Sequence, residues 1–214
     1  MFNILCFSQR KFYTSLVFKF YFLYIILLTT NEKERPYMTK NNTASRTSRL
    51  TLTAMFAAIT CIATVIIKIP TPATQGYIHF GDAFVILSGI FPGGFYGFLA
   101  AGIGSALADL FSGYAAFAPV TFIVKALCAL AVYFTYKKLA PVIRKNFVRL
   151  AIGGVFAALI VAGGYFAYEI FLYGPAAVTE IPMNLIQGGS GIVISLILFP
   201  ALSQIPELKK YLHR

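Results

Sequence analysis

The chain has 214 residues, of which 58% are hydrophobic and 12% are charged. A soluble domain carries about 25% charged residues, so this composition excludes an ordinary soluble domain and indicates a membrane protein. The formal net charge of +11 does not indicate nucleic-acid binding, because Lys and Arg stand between apolar segments, as the loop charges of membrane proteins do.

Residues 1–37 form an N-terminal extension whose status stays open. Residues 12–30 are apolar and aromatic, with Lys19 in the middle, and no small-residue cleavage site follows them, which disfavours a cleaved signal peptide. The stretch is an extra membrane segment, a signal-like stretch, or upstream sequence translated from a wrongly assigned start. Met38 opens a polar lead-in typical of a natural N-terminus. We therefore expect one membrane domain over residues 38–214.

Six apolar segments follow, separated by charge clusters or by Pro and Gly turns. They cover residues 50–67, 81–91, 95–111, 119–136, 147–173 and 182–202. A helix needs about 20 residues to cross the hydrocarbon core, and the second segment is too short to cross straight. It is either extended by its flanks or broken, and a broken helix is tolerated only where protein or a polar cavity surrounds it. The pattern predicts an all-α, polytopic bundle of six transmembrane helices.

Basic residues alternate between the predicted loops. They precede the first segment, separate the fourth from the fifth and follow the sixth, whereas residues 112–118 and 174–181 contain no Lys or Arg. Because basic loops stay on the cytoplasmic side, we expect a multi-pass protein of the plasma membrane with both termini in the cytoplasm.

Several polar side chains fall inside or at the edge of the apolar segments, where an ionisable group costs at least ~2.5 kcal/mol and is functional by default. The predicted topology places all of them in the outer half, which predicts an outward-facing, substrate-binding pocket. Its candidate residues are Asp82, Asp109, Lys125, Glu169, Asn184 and Gln187, with the weaker candidates His79 and Tyr165. On this interpretation, Lys125→Ala abolishes ligand binding and leaves the protein foldable.

Structural roles for the same side chains stay open. Asp109 and Lys125 could pair across helices, Asp82 could cap a helix N-terminus, and Asn184 and Gln187 could form interhelical hydrogen bonds. His79 could be an ordinary interfacial histidine, and Tyr165 could belong to an aromatic belt at the membrane surface.

Catalytic and cofactor motifs are lacking. Cys6, Cys61 and Cys128 show no CxxC or Cys/His spacing, so no disulfide or metal site is indicated. The sequence has no GxxxxGK[ST] phosphate loop, so we do not expect it to hydrolyse ATP by that route. We expect no enzymatic activity, no catalytic residue and no cofactor.

Several stretches resemble a known family. Residues 76–82 (GYIHFGD), 104–110 (GSALADL) and 118–125 (APVTFIVK) are similar to the S components of energy-coupling factor (ECF) transporters, as are residues 165–169 and 184–188. The resemblance covers roughly residues 48–205 of the chain. Within the riboflavin-type group, it is strongest to the branch associated with hydroxymethylpyrimidine and pyridoxine.

This resemblance implies a six-helix subunit that binds a small water-soluble vitamin or precursor on the outer face. Such subunits dock onto a transmembrane coupling subunit, the T component, which two ATPases drive. Ala54 and Ala58 match the Ala-xxx-Ala motif of the first helix that contacts the T component. Two other functions stay open: a stand-alone, proton-coupled secondary transporter of a small heterocycle, and a membrane enzyme that acts on lipid.

Overall fold

The computed structural model describes residues 46–66, 68–70 and 77–212. The predictions for residues 1–37, and for the lead-in up to residue 45, lie outside the described residues. Within the described ranges the architecture is helical, which confirms the all-α prediction. The exception is a pair of three-residue antiparallel strands, in which Ile69 is paired with Ile78.

The elements are numbered here in chain order. They are α1 (Arg46–Ile66), β1 (Lys68–Pro70), β2 (Tyr77–His79), α2 (Asp82–Ser88), a π-helical turn (Gly89–Gly93), α3 (Gly94–Phe111), α4 (Ala118–Lys138), α5 (Asn146–Tyr173), a 3-10 turn (Gly174–Thr179), α6 (Glu180–Gln204) and α7 (Pro206–Leu212).

The helix ends follow the local sequence. Pro119 stands in the first turn of α4, where a missing N–H costs nothing. Beyond α3 and α5 the chain turns through Gly113 and Gly174, whose φ angles of 85° and 59° disfavour a side chain. The bounds of five of the six predicted apolar segments agree to within a few residues with those of α1, α3, α4, α5 and α6.

The second apolar segment forms a broken helix. The seven residues of α2 continue into the π-helical turn, which contains Pro92, and α3 begins directly after it. Together α2 and the turn span about 18 Å at 1.5 Å per residue, which is less than the ~30 Å hydrocarbon core. Ile90, Phe91 and Pro92 of the turn are buried, so protein surrounds the break.

Four stretches of the described chain are long and apolar enough to cross a membrane. They are Arg46–Ile66, Asp82–Phe111, Ala118–Lys138 and Asn146–Gln204. The second and fourth each contain two helices joined by a π or 3-10 turn. These stretches support a membrane-embedded protein, and the number of six crossings stays a prediction.

Small residues let the helices approach closely. A Cβ on Gly104 of α3 would collide with the backbone of Ala57 in α1, and a Cβ on Gly188 of α6 would lie 2.9 Å from the Cα of Ala158 in α5. These contacts agree with close packing of small residues between membrane helices.

Candidate functional site

A buried salt bridge joins α2 to α4. Lys125 Nζ lies 2.5 Å from Asp82 Oδ1, and the two residues expose 0% and 3% of their surfaces. Asp82 is the first residue of α2, and Gly81 is at the N-cap position. The possible role of Asp82 as an N-cap is therefore wrong, because its carboxylate is bound to Lys125.

The salt bridge continues into a hydrogen-bond chain that reaches α6 and β2. The Gln187 amide donates from Nε2 to Asp82 Oδ2 at 3.1 Å, and its Oε1 accepts the backbone N–H of His79 at 3.3 Å. The backbone N–H of Gly81 donates to His79 Nδ1 at 3.1 Å. Since both amide ends of Gln187 are used, its orientation is fixed.

Close approach of α6 to α2 makes this chain possible. A Cβ on Gly191 would lie 2.8 Å from the Cβ of Asp82, so a larger residue there would push the two helices apart. Gly191 therefore brings Gln187, one turn earlier on the same helix, within hydrogen-bond distance of the Asp82 carboxylate.

A polar cavity of about 50 Å³ lies beside this network. It is lined by β2, the C-terminal parts of α3 and α5, the α3–α4 loop and the N-terminal parts of α4 and α6. Six of the eight predicted substrate-binding residues line it: His79, Asp109, Tyr165, Glu169, Asn184 and Gln187. Asp82 and Lys125 are not among the lining residues and lie behind Gln187.

Four further residues line the polar cavity, namely Tyr114, Phe117, Thr121 and Glu180. Each of them has a feature in the sequence that could have indicated it. Tyr114 and Phe117 are aromatic residues of the predicted loop at residues 112–118, where an aromatic belt at the membrane surface would also account for them. Thr121 lies one helical turn before Lys125. Glu180 precedes the predicted sixth segment by two residues, but α6 begins at this residue.

Hydrogen bonds and ring contacts hold the wall of the cavity. The hydroxyls of Thr121 and Tyr165 are 3.0 Å apart, and Lys125 Nζ lies 5.3 Å from the centre of the Tyr165 ring. The Tyr168 hydroxyl donates to the carbonyl oxygen of Ala116 at 2.7 Å, and its ring meets that of Phe117 edge-on at 5.4 Å. These contacts attach the α3–α4 loop to α5.

The lining is rich in hydrogen-bond acceptors and carboxyl groups. Asp109, Glu169 and Glu180 are each 5–6% exposed, and none of the described lining residues is Lys or Arg. Glu169 Oε2 is enclosed and has no hydrogen-bond partner among the described residues. A buried carboxylate oxygen in this state is costly, so it is a candidate contact for a ligand that donates hydrogen bonds.

No group of three or more His, Cys, Asp or Glu side chains in the described ranges is arranged to hold a metal ion. Cys61 and Cys128 are buried.

The predicted partner contact lies elsewhere, on α1. Ala54 and Ala58 are exposed, as are Thr51 and Ile62 on the same helical face, while Phe56, Ala57 and Thr60 are buried in the bundle. One narrow face of α1 is therefore exposed in the part of the chain that the structure describes.

Comparison with known proteins identifies the family. Residues 44–204 match the sequence profile described as ECF-type riboflavin transporter, S component. The chain is 35% identical over 134 residues to a protein of Pyrococcus woesei described as an uncharacterized protein in the gap 3′ region. The matched region covers 62% of this chain and 86% of that protein.

The fold is also similar to that of a solved protein. This structure, described as the S component of a bacterial ECF transporter, matches with a TM-score of 0.61 and 24% identity, over 74% of this chain and 97% of that one. Since the profile covers most of the sequence, the chain belongs to the S-component family of ECF-type riboflavin transporters.

Proposed function

We propose that this S component binds a small, water-soluble heterocycle, of the size of pyridoxine or hydroxymethylpyrimidine, in the polar cavity. It takes the ligand from outside the cell and delivers it to a T component driven by two ATPases. The observation that carries the proposal is the convergence of six predicted residues from four helical or strand segments on one cavity.

The chemistry of the lining supports a ligand that donates hydrogen bonds. Ionised carboxylates only accept hydrogen bonds, whereas the amides of Asn184 and Gln187 both donate and accept. The Lys125 ammonium is already paired with Asp82. A ring with hydroxyl, amino or protonated nitrogen groups fits this lining better than a strong anion.

The size of the cavity supports a single-ring ligand. Pockets for drug-sized molecules have volumes of ~300–1,000 Å³, well above the cavity volume of about 50 Å³. Side chains must move to admit any vitamin, and a single ring requires a smaller displacement than a fused-ring compound such as riboflavin. Tyr165 or Phe117 could then stack on the ring.

Asp82 and Lys125 have a different role in this proposal. They hold the Gln187 amide in place from behind and present no atom to the cavity lining. The sequence predicted both as direct ligand contacts, and we now propose that they act on the ligand through Gln187.

Coupling to the partner is assigned to the exposed face of α1. Small side chains at Ala54 and Ala58 allow another helix to approach the backbone closely. This face lies on α1 away from the described neighbouring helices, so docking of a T component there leaves the bundle packing intact.

The test is ligand binding by the purified full-length chain. We expect isothermal titration to detect binding of pyridoxine or hydroxymethylpyrimidine, with riboflavin as the fused-ring comparison. Glu169→Gln should weaken binding by roughly tenfold or more, because it removes a charge-assisted hydrogen bond. It should not lower the melting temperature, since Glu169 Oε2 has no hydrogen-bond partner in the described structure.

Glu207→Gln is the matched control, because Glu207 is an exposed residue of α7 that does not line the cavity. Equal affinities of the Glu169→Gln and Glu207→Gln variants would refute the cavity assignment. Uptake that persists in cells without the ATPases would favour the secondary-transporter alternative.

A further inference from the structure

A second cavity, of about 390 Å³, lies at the other end of the bundle. We call this end the basic end, because nine described Lys and Arg residues are grouped on the segments that form it. They are Arg46, Arg49, Lys137, Lys138, Arg144, Lys145, Arg149, Lys209 and Lys210. Glu207 is the acidic residue on these segments. The cavity is larger than the polar cavity and shares no lining residue with it.

The N-terminus of α3 forms part of the wall of this basic-end cavity. Gly93, Gly94 and Phe95 line it, and this 18-residue helix has neither a side-chain cap nor an acidic residue in its first turn. The first N–H groups of a helix lack intrahelical partners and carry partial positive charge. They bind anions, phosphate groups in particular.

Two cations line the same cavity without a carboxylate partner. Arg49 stands over the Tyr96 ring at 5.6 Å and Lys137 over the Tyr133 ring at 4.9 Å, and neither forms a salt bridge within the described ranges. Aromatic faces therefore hold both side chains in position and leave their charges available to an anion.

A buried hydroxyl provides independent support. Tyr136 lines the cavity and is 7% exposed, and its hydroxyl has no hydrogen-bond partner in the part of the chain that the structure describes. Arg149 covers the Tyr136 ring at 4.2 Å and keeps it in place. A buried hydroxyl without a partner is costly, and a ligand oxygen would satisfy it.

From these observations we propose that the basic-end cavity binds a phosphate group, supplied by the headgroup of an anionic phospholipid or by a free phosphate. The phosphate oxygens accept hydrogen bonds from the α3 N-terminus and the Tyr136 hydroxyl. Arg49 and Lys137 neutralise its charge. The proposal does not depend on the ligand of the polar cavity, because the two sites have no residue in common.

The experiment compares two variants that remove the same charge from the same end of the bundle. Arg49→Gln/Lys137→Gln removes the lining cations, and Lys138→Gln/Arg144→Gln removes two exposed cations outside the lining. Native mass spectrometry of the purified chain measures binding of phosphatidylglycerol against phosphatidylcholine. Thermal shift at constant ionic strength measures the effect of inorganic phosphate against chloride.

We expect the wild type to prefer phosphatidylglycerol, and the lining variant to lose about tenfold in affinity, since charge-assisted hydrogen bonds are removed. The control variant should lose less than about twofold, as exposed charges do. If the lining variant loses affinity only for the lipid, the lipid headgroup is the source of the bound phosphate group. If it also loses affinity for inorganic phosphate, the site binds the free anion.

Tyr136→Phe tests the same site if the double variant Arg49→Gln/Lys137→Gln fails to fold. This substitution removes a hydroxyl that lacks a partner, so it should leave the melting temperature unchanged or raised while weakening binding. Equal weakening by the two double variants would show a diffuse surface effect and overturn the proposal. Absence of binding of both probes to the wild type, or unchanged affinity in Tyr136→Phe, would also overturn it.

Discussion

At the residue scale, the Asp82–Lys125 pair determines how substitutions near the polar cavity must be interpreted. Both side chains are buried, so removing one leaves the other charge without compensation, at a cost of about 3–5 kcal/mol. We expect Lys125→Met to lower the melting temperature strongly. Asp82→Ala/Lys125→Met should recover part of the loss, because no charge remains buried. Thermal unfolding of the purified variants measures both effects.

A double variant no more stable than Lys125→Met would contradict this account. The sequence-based expectation that Lys125→Ala removes a ligand contact from an otherwise unaltered protein does not follow from the geometry. Loss of ligand binding in that variant would have two causes, the displaced Gln187 amide and the weakened fold. Glu169→Gln is the cleaner test of the cavity for this reason.

The depth of a residue in the membrane predicts which residues share a cavity, but it does not predict which of them bond to each other. Hydropathy and the basic loops placed Asp109, Glu169 and Asn184 at one depth, and these residues do line one cavity. The hydrogen-bond partner of each side chain depends on how its helix is rotated and how closely that helix approaches its neighbours. The contact of Gly191 with Asp82 decides that Gln187 meets this carboxylate, and no sequence period carries that information.

At the element scale, the turn between α2 and α3 depends on backbone conformation. Gly94 has a φ of 52° and a ψ of −134°, a region that residues with side chains rarely occupy. Its Cβ would meet the Tyr133 ring at an ordinary distance of 3.5 Å. Gly94→Ala should therefore destabilise the protein by about 1–3 kcal/mol through backbone strain alone.

Gly163→Ala is the control for this prediction. Gly163 lies within α5, and a Cβ there would meet nothing within 4 Å, so alanine should stabilise the helix by roughly 0.5–1 kcal/mol. Melting temperatures of the two variants should shift in opposite directions. Shifts of the same sign would show that the conformation of Gly94 is not strained for alanine.

The exposed face of α1 carries a prediction about coupling. Ala58→Phe should reduce uptake in cells by at least about tenfold, because a large ring blocks close approach of a partner helix. Ligand binding by the purified variant should be unchanged. Ala201→Phe, at an exposed position of α6, is the control and should leave uptake near the wild-type rate. Full uptake by Ala58→Phe would place the contact with the partner elsewhere.

Long elements could be predicted from the sequence, and short ones could not. Charges, Pro and Gly delimit α1, α3, α4, α5 and α6 to within a few residues. The three-residue strands are shorter than two repeats of the strand period, and the seven-residue α7 is shorter than two helical turns. Hydrophobic periodicity therefore cannot reveal these elements. The length of the second segment left two alternatives, a helix extended by its flanks and a broken one, and it indicated neither the choice between them nor the π-helical form of the turn.

At the scale of the whole molecule, charge is divided between the two ends of the bundle. Nine Lys and Arg residues occupy the basic end, while Asp109, Glu169 and Glu180 line the cavity at the other end. Basic loops remain in the cytoplasm, so this division predicts that the polar cavity opens outward and the basic-end cavity faces the cytoplasm and its anionic lipid surface.

Cysteine labelling in intact cells tests this orientation. Ala116 and Val142 are exposed loop residues at opposite ends of the bundle. The background variant carries Cys6→Ser, so that its remaining native thiols are the buried Cys61 and Cys128. A membrane-impermeant maleimide should label Ala116→Cys in intact cells. Val142→Cys should react only after permeabilisation. Labelling of Val142→Cys in intact cells, with Ala116→Cys protected, would invert the topology and place the carboxylate-lined cavity inside the cell, where it could not capture an external ligand.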